Sequence, residues 1–497
     1  VDSINSKNFT NLTMPFSKFF TLCAAFFAIL PLAPAIAETE SKKPNVVMLL
    51  SDDLSTALSG FGHPQCKTPH LDKLAEVGMR FENMHCQYPV CGASRNSLMT
   101  GLHPYRNGML GNSGNLRQNM PDVVTLSQLF KNNGYYAGRV SKIYHMGIPP
   151  EILAGTADHD DPPSWHEVTN IKAGEQNVPG ERTNWSPGDK GSQSFTGVIG
   201  TEGDLYHADG MAAEAAVEFL KKNKDRPFFL GCGFVRPHVP LVAPAKYFDP
   251  YVKEDMILPE VPKDDLNDVP KVIREYKTYQ RYGFTPELHQ GMLQAYYASV
   301  SYMDAQVGRV LAALDELGLR ENTIVIFSSD HGYMLGEHNK FQKQHLFEQS
   351  TRVPFILSVP WMAEKHGART QQITELVDLY PTIAELAQLD PPKELHGTSL
   401  VPLLADPETE QWEKDLAFTI SRNGGESIRT HDWRYTHWGY GSQGQELFDL
   451  KNDPGEFKNL ANDPAHADIK KQLKKRLVEK RKSIGYDPQK YNVKKKK

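Results

Sequence analysis

Asp52-Asp53 and Asp330-His331 each stand just past a run of apolar residues, at 45–50 and 323–327. A strand apolar at nearly every position is buried on both faces, as at the centre of a parallel sheet, and open α/β sheets bind ligands beyond the carboxyl ends of such strands. If the two strands are neighbours, three carboxylates and an imidazole converge at one edge. Their mutual repulsion and desolvation would be prohibitive without a cation. Oxygen-rich ligation with a single nitrogen favours a hard divalent ion, calcium before magnesium. A lone Asp-Asp pair is as readily a helix cap or a turn; its recurrence as a second acidic motif after a second buried strand points to a metal.

A different chemistry is offered by Cys91-Gly92-Ala93-Ser94-Arg95-Asn96-Ser97-Leu98-Met99-Thr100-Gly101. Taken by itself, its cysteine reads as a thiol nucleophile, with Ser94 and Arg95 near a helix start where backbone amides favour an anion. A third apolar run, 227–231, ends near Arg236-Pro237-His238 and adds a titratable side chain at the same kind of position.

These motifs need a sheet with helices around it. Residues 70–78 show helical spacing and a glycine stop, and 296–317 present Val300, Met303, Val307, Val310, Leu311 and Leu314 on one face; both read as ordinary core helices. The stretch 148–204 is rich in Gly, Pro, Asn and Asp with little periodicity and predicts irregular surface insertions of the kind that shape a pocket. Beyond about residue 404 short strands are expected at 416–422, 433–438 and 446–450, then a Lys- and Arg-rich helix over 469–484. The chain therefore divides into a catalytic domain over 44–404, a C-terminal subdomain over 405–485 and a basic tail over 486–497.

At the other end, Lys18, the apolar run 19–32 and Ala35-Ile36-Ala37 read as a secretory signal peptide spanning 14–37. Residues 1–13 precede a plausible start methionine and read as an over-extended start. The apolar run is short for a spanning helix, and no later segment replaces it. A formal net charge of -5 gives no overall pull toward nucleic acid or an acidic membrane, so an anionic substrate must be held by local cations. Five cysteines without a paired CxxC indicate neither a zinc site nor a thioredoxin-type motif; if Cys91 is consumed, the mature chain has room for at most one intramolecular disulfide.

The cysteine segment resembles the modification signature of the formylglycine-dependent sulfatases, cysteine-x-proline-serine-arginine followed by threonine-glycine. The resemblance extends through 44–53, Thr68-Pro69-His70-Leu71-Asp72, 332–338, Asp378-Leu379-Tyr380-Pro381-Thr382, Glu446-Leu447-Phe448-Asp449-Leu450 and Asp453-Pro454, all in the family's order. His331 after the distal aspartate, together with Ser141-Lys142-Ile143-Tyr144-His145, is most similar to the iduronate-2-sulfatase branch. The resemblance implies an alkaline-phosphatase-like α/β sandwich whose smaller C-terminal subdomain carries an antiparallel sheet.

It also implies roles for particular residues. Cys91 becomes formylglycine (3-oxoalanine), made by a formylglycine-generating or anaerobic sulfatase-maturating enzyme. Its hydrate attacks sulfur, an alcohol leaves, and the second hydroxyl expels sulfate and regenerates the aldehyde. One Ca2+ ion is held by Asp52, Asp53, Asp330, His331 and the modified Cys91, with Arg95 stabilising the ionised hydrate. Lys142 and Lys343 match the family's sulfate-binding lysines; Lys340, one turn from Lys343, competes for that assignment. His145 matches the histidine that deprotonates the hydrate, and His238 the one that protonates the leaving alkoxide. Ala93 stands where the family pattern has proline, and Ser141 where many relatives have glycine. The expected activity is hydrolysis of O-sulfate esters on sugars by an exo-acting, periplasmic or secreted enzyme. A phosphomonoester or phosphonate hydrolase of the same fold and an inactive sugar-binding homologue are the rivals.

Overall fold

The computed structural model describes residues 43–189 and 194–486. The expected signal segment over 14–37, the stretch 1–13 before it and the tail beyond Tyr486 lie outside the described residues.

At the heart of the main sheet stands strand Asn45–Asp52, buried at every position. Its parallel neighbours are Phe228–Pro237 on one side and Thr323–Ser329 on the other. Val47 and Leu49 enter one apolar core while Val46, Met48 and Leu50 enter a second, because successive strand side chains point to opposite faces. Both faces being covered, the run reads as continuously apolar. Each such side chain contributes roughly 1.5–3 kcal/mol on burial, so the strand that delivers Asp52 is anchored over its whole length.

The sheet runs in the order Arg352–Val353, Met79–His85, Phe355–Ser358, Thr323–Ser329, Asn45–Asp52, Phe228–Pro237, Tyr136–Ser141, Glu167–Thr169, with Arg369–Glu375 also paired to Met79–His85. Only Arg352–Val353 and Phe355–Ser358 run antiparallel to their neighbours. The expected mostly parallel α/β architecture is therefore present. Helices Ala208–Asn223 and Pro286–Glu316 contribute to one core, and Cys91–Thr100, Leu126–Asn132 and Leu379–Leu386 to the other.

The long helix starts at Pro286 rather than near Tyr296, because Thr285 caps it through the Leu288 amide and proline suits the first turn. In its early turns His289 is buried and donates Nε2–H to the Leu335 carbonyl at 2.6 Å. Burial pushes this imidazole down to about 4, whereas an unfolded chain protonates it near 6.5. Its stabilising effect is thus complete above about pH 6.5 and is lost as the pH falls toward 4. Between pH 7.5 and pH 5 the wild type is expected to lose about 2 kcal/mol more than a His289→Gln variant. Urea unfolding of both proteins at the two pH values measures that difference; equal losses would contradict it.

The stretch 148–204 is more ordered than its composition suggests. Glu167–Thr169 extends the main sheet, and Gly180–Asn184, Thr196–Gly200 and Leu241–Pro244 form a separate three-stranded sheet. Its signal was hidden because the third strand is supplied from about forty residues downstream. Four antiparallel strands follow later: Ala417–Ser421, Gly425–Arg429, Trp433–His437 and Gln445–Asp449. The second of these was not anticipated, its Gly-Glu-Ser start reading as a turn. Helix Ala467–Ser483 packs on this sheet through Leu473 and Leu477. Cys66, Cys86, Cys91 and Cys232 are all buried free thiols.

Candidate active site

Leu50 pairs with Ser328 and Ser51 with Ser329 across the two central strands, so Asp52 and Asp330 emerge side by side. Asp53 turns away from the strand with φ 61°, and its amide donates to Asp330 Oδ1 at 3.3 Å. Tyr296 of the long helix pins this turn: its hydroxyl donates to the Asp53 carbonyl at 2.8 Å and accepts from the Ser55 amide at 2.9 Å.

Arg95 lies beneath, wholly buried. Its Nε donates to Asp330 Oδ2 at 2.9 Å, its Nη2 lies 3.5 Å from Asp52 Oδ1, and it also donates to the carbonyls of Ser51, Lys142 and Ile143. Lys142 Nζ contacts Asp52 Oδ2, and Lys343 Nζ lies 2.5 Å from Asp53 Oδ1. Asp52 thus faces Lys142 and Arg95, Asp330 shares that Arg95, and Asp53 faces Lys343. Burial would raise Asp52, yet Lys142, His238 and Arg95 hold it well below the usual carboxylate range. Asp53 is held down too, with Lys343 and His238 outweighing burial. Burial works against the Lys343 charge, but Asp53 and Cys91 raise it well above an ordinary lysine.

Cys91 opens helix Cys91–Thr100. Its Sγ is 3.1 Å from Lys343 Nζ and 3.4 Å from His331 Nε2. A Cβ on Gly92 would sit 2.5 Å from the Gly111 carbonyl, so no side chain fits beside the cysteine. Burial pushes the Cys91 thiol far up and Asp52 adds to it; as a plain thiol it stays protonated at neutral pH and is a poor nucleophile. The reading of Cys91 as a thiolate is therefore disfavoured by its surroundings.

Ligand atoms of Asp52, Cys91, Asp330 and His331 all lie within 4.8 Å of one another. Both Asp52 oxygens are buried, ion-paired with Lys142 and Arg95 but without an aligned hydrogen bond. His331 Nδ1 donates to the Gly332 carbonyl at 2.9 Å, which leaves Nε2 with its lone pair toward the cluster. This donor set fits a divalent ion. Asp53 stands at its edge: it groups with Cys91 and His238 and is capped by Lys343.

The remaining expected residues reach the same place. His238 Nδ1 donates to the Val239 carbonyl at 2.6 Å, so Nε2 faces Asp53 Oδ2 at 3.7 Å. Burial takes His238 down to about 4 against the pull of Asp53. His145 is lowered to about 2 by burial and by Lys142, and its Nδ1 is buried without a partner. Lys340 is excluded as a sulfate ligand: it is fully buried and donates to the carbonyls of Ile273, Arg274 and Tyr276.

Sequence reasoning missed the supports. Arg236 is clamped by Glu175 at 2.7 Å to each oxygen and donates to the His238 and Pro240 carbonyls, fixing the loop that carries His238. Asp209 accepts from the Val235 and Arg236 amides at 2.7 and 3.0 Å. Glu175 sits in the aperiodic stretch and carried no usable signal.

Ser141, just before Lys142, has φ 55° and a buried hydroxyl without a partner. Glycine relieves both the left-handed strain and the orphaned hydroxyl, against a smaller entropic cost in the unfolded chain. Ser141→Gly is expected to stabilise the protein by about 1 kcal/mol, read as a higher urea midpoint; a lower midpoint would refute the strain argument.

Carboxylates and cations gathered past the ends of a mostly parallel sheet, around Cys91 at a helix start, fit an alkaline-phosphatase-like fold. The sulfatase family model matches residues 44–389, and the model for the C-terminal region of N-sulphoglucosamine sulphohydrolase matches 336–483. This chain belongs to the sulfatase family, enzymes that hydrolyse sulfate esters. It is 32% identical to a sulfatase of Formosa agariphila, over 86% of this chain and 84% of that one. It is 30% identical to the iduronate 2-sulfatase of Mus musculus, over 92% and 97%. The phosphonate monoester hydrolase of Agrobacterium radiobacter shares the fold, with TM-score 0.75 at 22% identity over 89% and 96% of the two chains. Among the described residues no helix is long and apolar enough to cross a membrane.

Proposed function

We propose that the protein is an exported, exo-acting sulfatase that releases sulfate from sulfated sugars, with Cys91 oxidised after synthesis to formylglycine as the source of the attacking oxygen. The observation that carries this reading is the setting of Cys91: buried at a helix start, between Lys343 and His331, where a thiol is inert. The resemblance to iduronate 2-sulfatase over nearly the full length of both chains supports a sugar substrate.

One Ca2+ ion held by Asp52, Asp330 and His331, with Asp53 at the edge, would supply Lewis acidity at that position. The protein's own groups do the rest. Arg95, fixed by five contacts, keeps the floor of the site rigid and cationic. Lys142 and Lys343 neutralise the sulfate oxygens as charge builds on them. His238, when protonated at Nε2, gives that proton to the departing sugar oxygen, and His145 takes a proton when sulfate is expelled. Cys91 and Lys142 are buried while Lys343, His238 and His145 reach partial exposure, which places the solvent-facing groups of the site together, and an exo-acting enzyme would enclose the ester in a pocket. A pocket of that kind suits the terminal residue of a chain.

The test is sulfate release from defined sulfated oligosaccharides by purified protein, paired with mass spectrometry of the peptide spanning Cys91. Conversion of the thiol to the aldehyde together with release is expected. Protein from its native host carrying only unmodified cysteine would sink the reading.

A further inference from the structure

Next to the ester site lies a second group of cations that the reaction does not use. Lys277 Nζ donates to the Lys343 carbonyl at 2.8 Å, placing it one residue behind the lysine that touches Cys91 and Asp53. Tyr276 precedes it, and its hydroxyl donates to Gln344 Oε1 at 2.6 Å. Over the Tyr276 ring sits the Arg422 guanidinium, 4.2 Å from the centroid, while Lys277 Nζ is 5.2 Å from that centroid. Arg422 comes from the C-terminal sheet, whose Ser421 hydroxyl donates to the Gln344 carbonyl at 2.9 Å.

The loop that presents Tyr276 and Lys277 is held by the buried Lys340 ammonium, which donates to the carbonyls of residues 273, 274 and 276. The Phe341 amide binds the Lys277 carbonyl at 3.2 Å. Lys277 is thus set in place by a fully buried lysine and a backbone contact, and Arg422 by the Ser421 anchor and the Tyr276 ring. Among the described residues neither Lys277 nor Arg422 forms an ion pair, and the acid nearest in effect, Asp53, already holds Lys343. Burial, with Lys343 and Arg422 adding to it, pushes the half-buried Lys277 down to about 7. A guanidinium beside an ammonium that is only partly charged at neutral pH for want of a counter-charge is poised for an anion from outside, which would restore the full charge on Lys277.

We propose that Lys277 and Arg422, arranged around Tyr276, form a subsite for a second anionic group, a carboxylate or a second sulfate, on the sugar that bears the scissile ester. This rests on the sulfatase reading above and narrows it to doubly anionic sugars. Arg422 brings a planar fork suited to either oxyanion, and Lys277 a point charge. Tyr276 offers an aromatic surface between them.

Three sulfated monosaccharides of one ring configuration and one ester position test it: a neutral hexose sulfate, the matching hexuronate sulfate and the matching disulfate. Their Kd values on full-length Cys91→Ala protein are measured by calorimetry, and their KM values on the wild type. At least one doubly anionic probe is expected to bind about tenfold tighter than the neutral one, and the arm that tightens names the anion. Lys277→Met and Arg422→Ala are expected to close most of that gap, and Lys277→Arg to keep it, with thermal melts confirming that each variant is folded. Equal affinities for all three probes, no binding of any, or a gap unchanged in the variants would overturn the subsite. A persistent affinity gap without sulfate release by the wild type would instead leave the subsite standing and remove the sulfatase reading.

Discussion

Replacing Cys91 by alanine is expected to lower kcat/KM for sulfate release by about 10⁴-fold or more. Cys91 stands where Lys343, at 3.1 Å, and His331, at 3.4 Å, approach its sulfur, and among the described residues no second thiol groups with these ligands. Ser94 is spent, its hydroxyl binding the Asp330 carbonyl. Alanine retains the helix start and the tight approach of Gly92 to residue 111, so the fold survives. Sulfate release followed by ion chromatography, alongside a thermal melt, separates lost chemistry from lost structure. Release equal to that of the wild type would remove Cys91 from the mechanism.

Asp330→Asn is expected to have the second largest effect, a loss of about 10³-fold in activity with loss of bound metal. Its carboxylate accepts from Arg95 Nε, the Asp53 amide and the His331 amide. Asparagine keeps an acceptor of the same shape but removes the charge that Arg95 and a divalent ion both need. The buried guanidinium is left partly uncompensated, which costs about 3 kcal/mol of stability. Elemental analysis gives the metal content directly. A chelator is expected to lower the Tm of the wild type and leave that of Asp330→Asn unchanged, since a ligand stabilises only the protein that binds it. Equal shifts in both would place the metal elsewhere.

The parts of the site visible in the sequence were those that local chemistry marks. Asp52, Asp53, Asp330 and His331 stood out because each pair follows a strand whose two faces are both buried, and such a strand is apolar throughout. Cys91 and Arg95 stood out through a contiguous motif on one helix. Lys343 was assigned by its place in the motif, with the chemically alike Lys340 three residues away as its rival; the fold shows that one ammonium reaches Asp53 and the other three backbone carbonyls. Lys277, Arg422, Glu175 and Tyr296 were illegible for a further reason. Each acts on a residue more than sixty positions away in the chain, and no periodicity or spacing records such a contact. Strands Met79–His85 and Arg369–Glu375 were missed as well, since polar residues interrupt their apolar pattern.

Ala93 is buried in an apolar cluster with Tyr88, Val90, Phe418 and Ile420, so strand Ala417–Ser421 forms a lid over the segment that begins at Cys91. That lid is translated about 330 residues after the cysteine. At ordinary synthesis rates the interval is roughly 15 to 65 s. In the folded chain Cys91 has no exposed surface. If Cys91 is oxidised as proposed, an enzyme that must grip the segment has to work before the C-terminal strands fold over it. Delaying the docking of strand Ala417–Ser421 would then lengthen the time in which Cys91 is open to that enzyme.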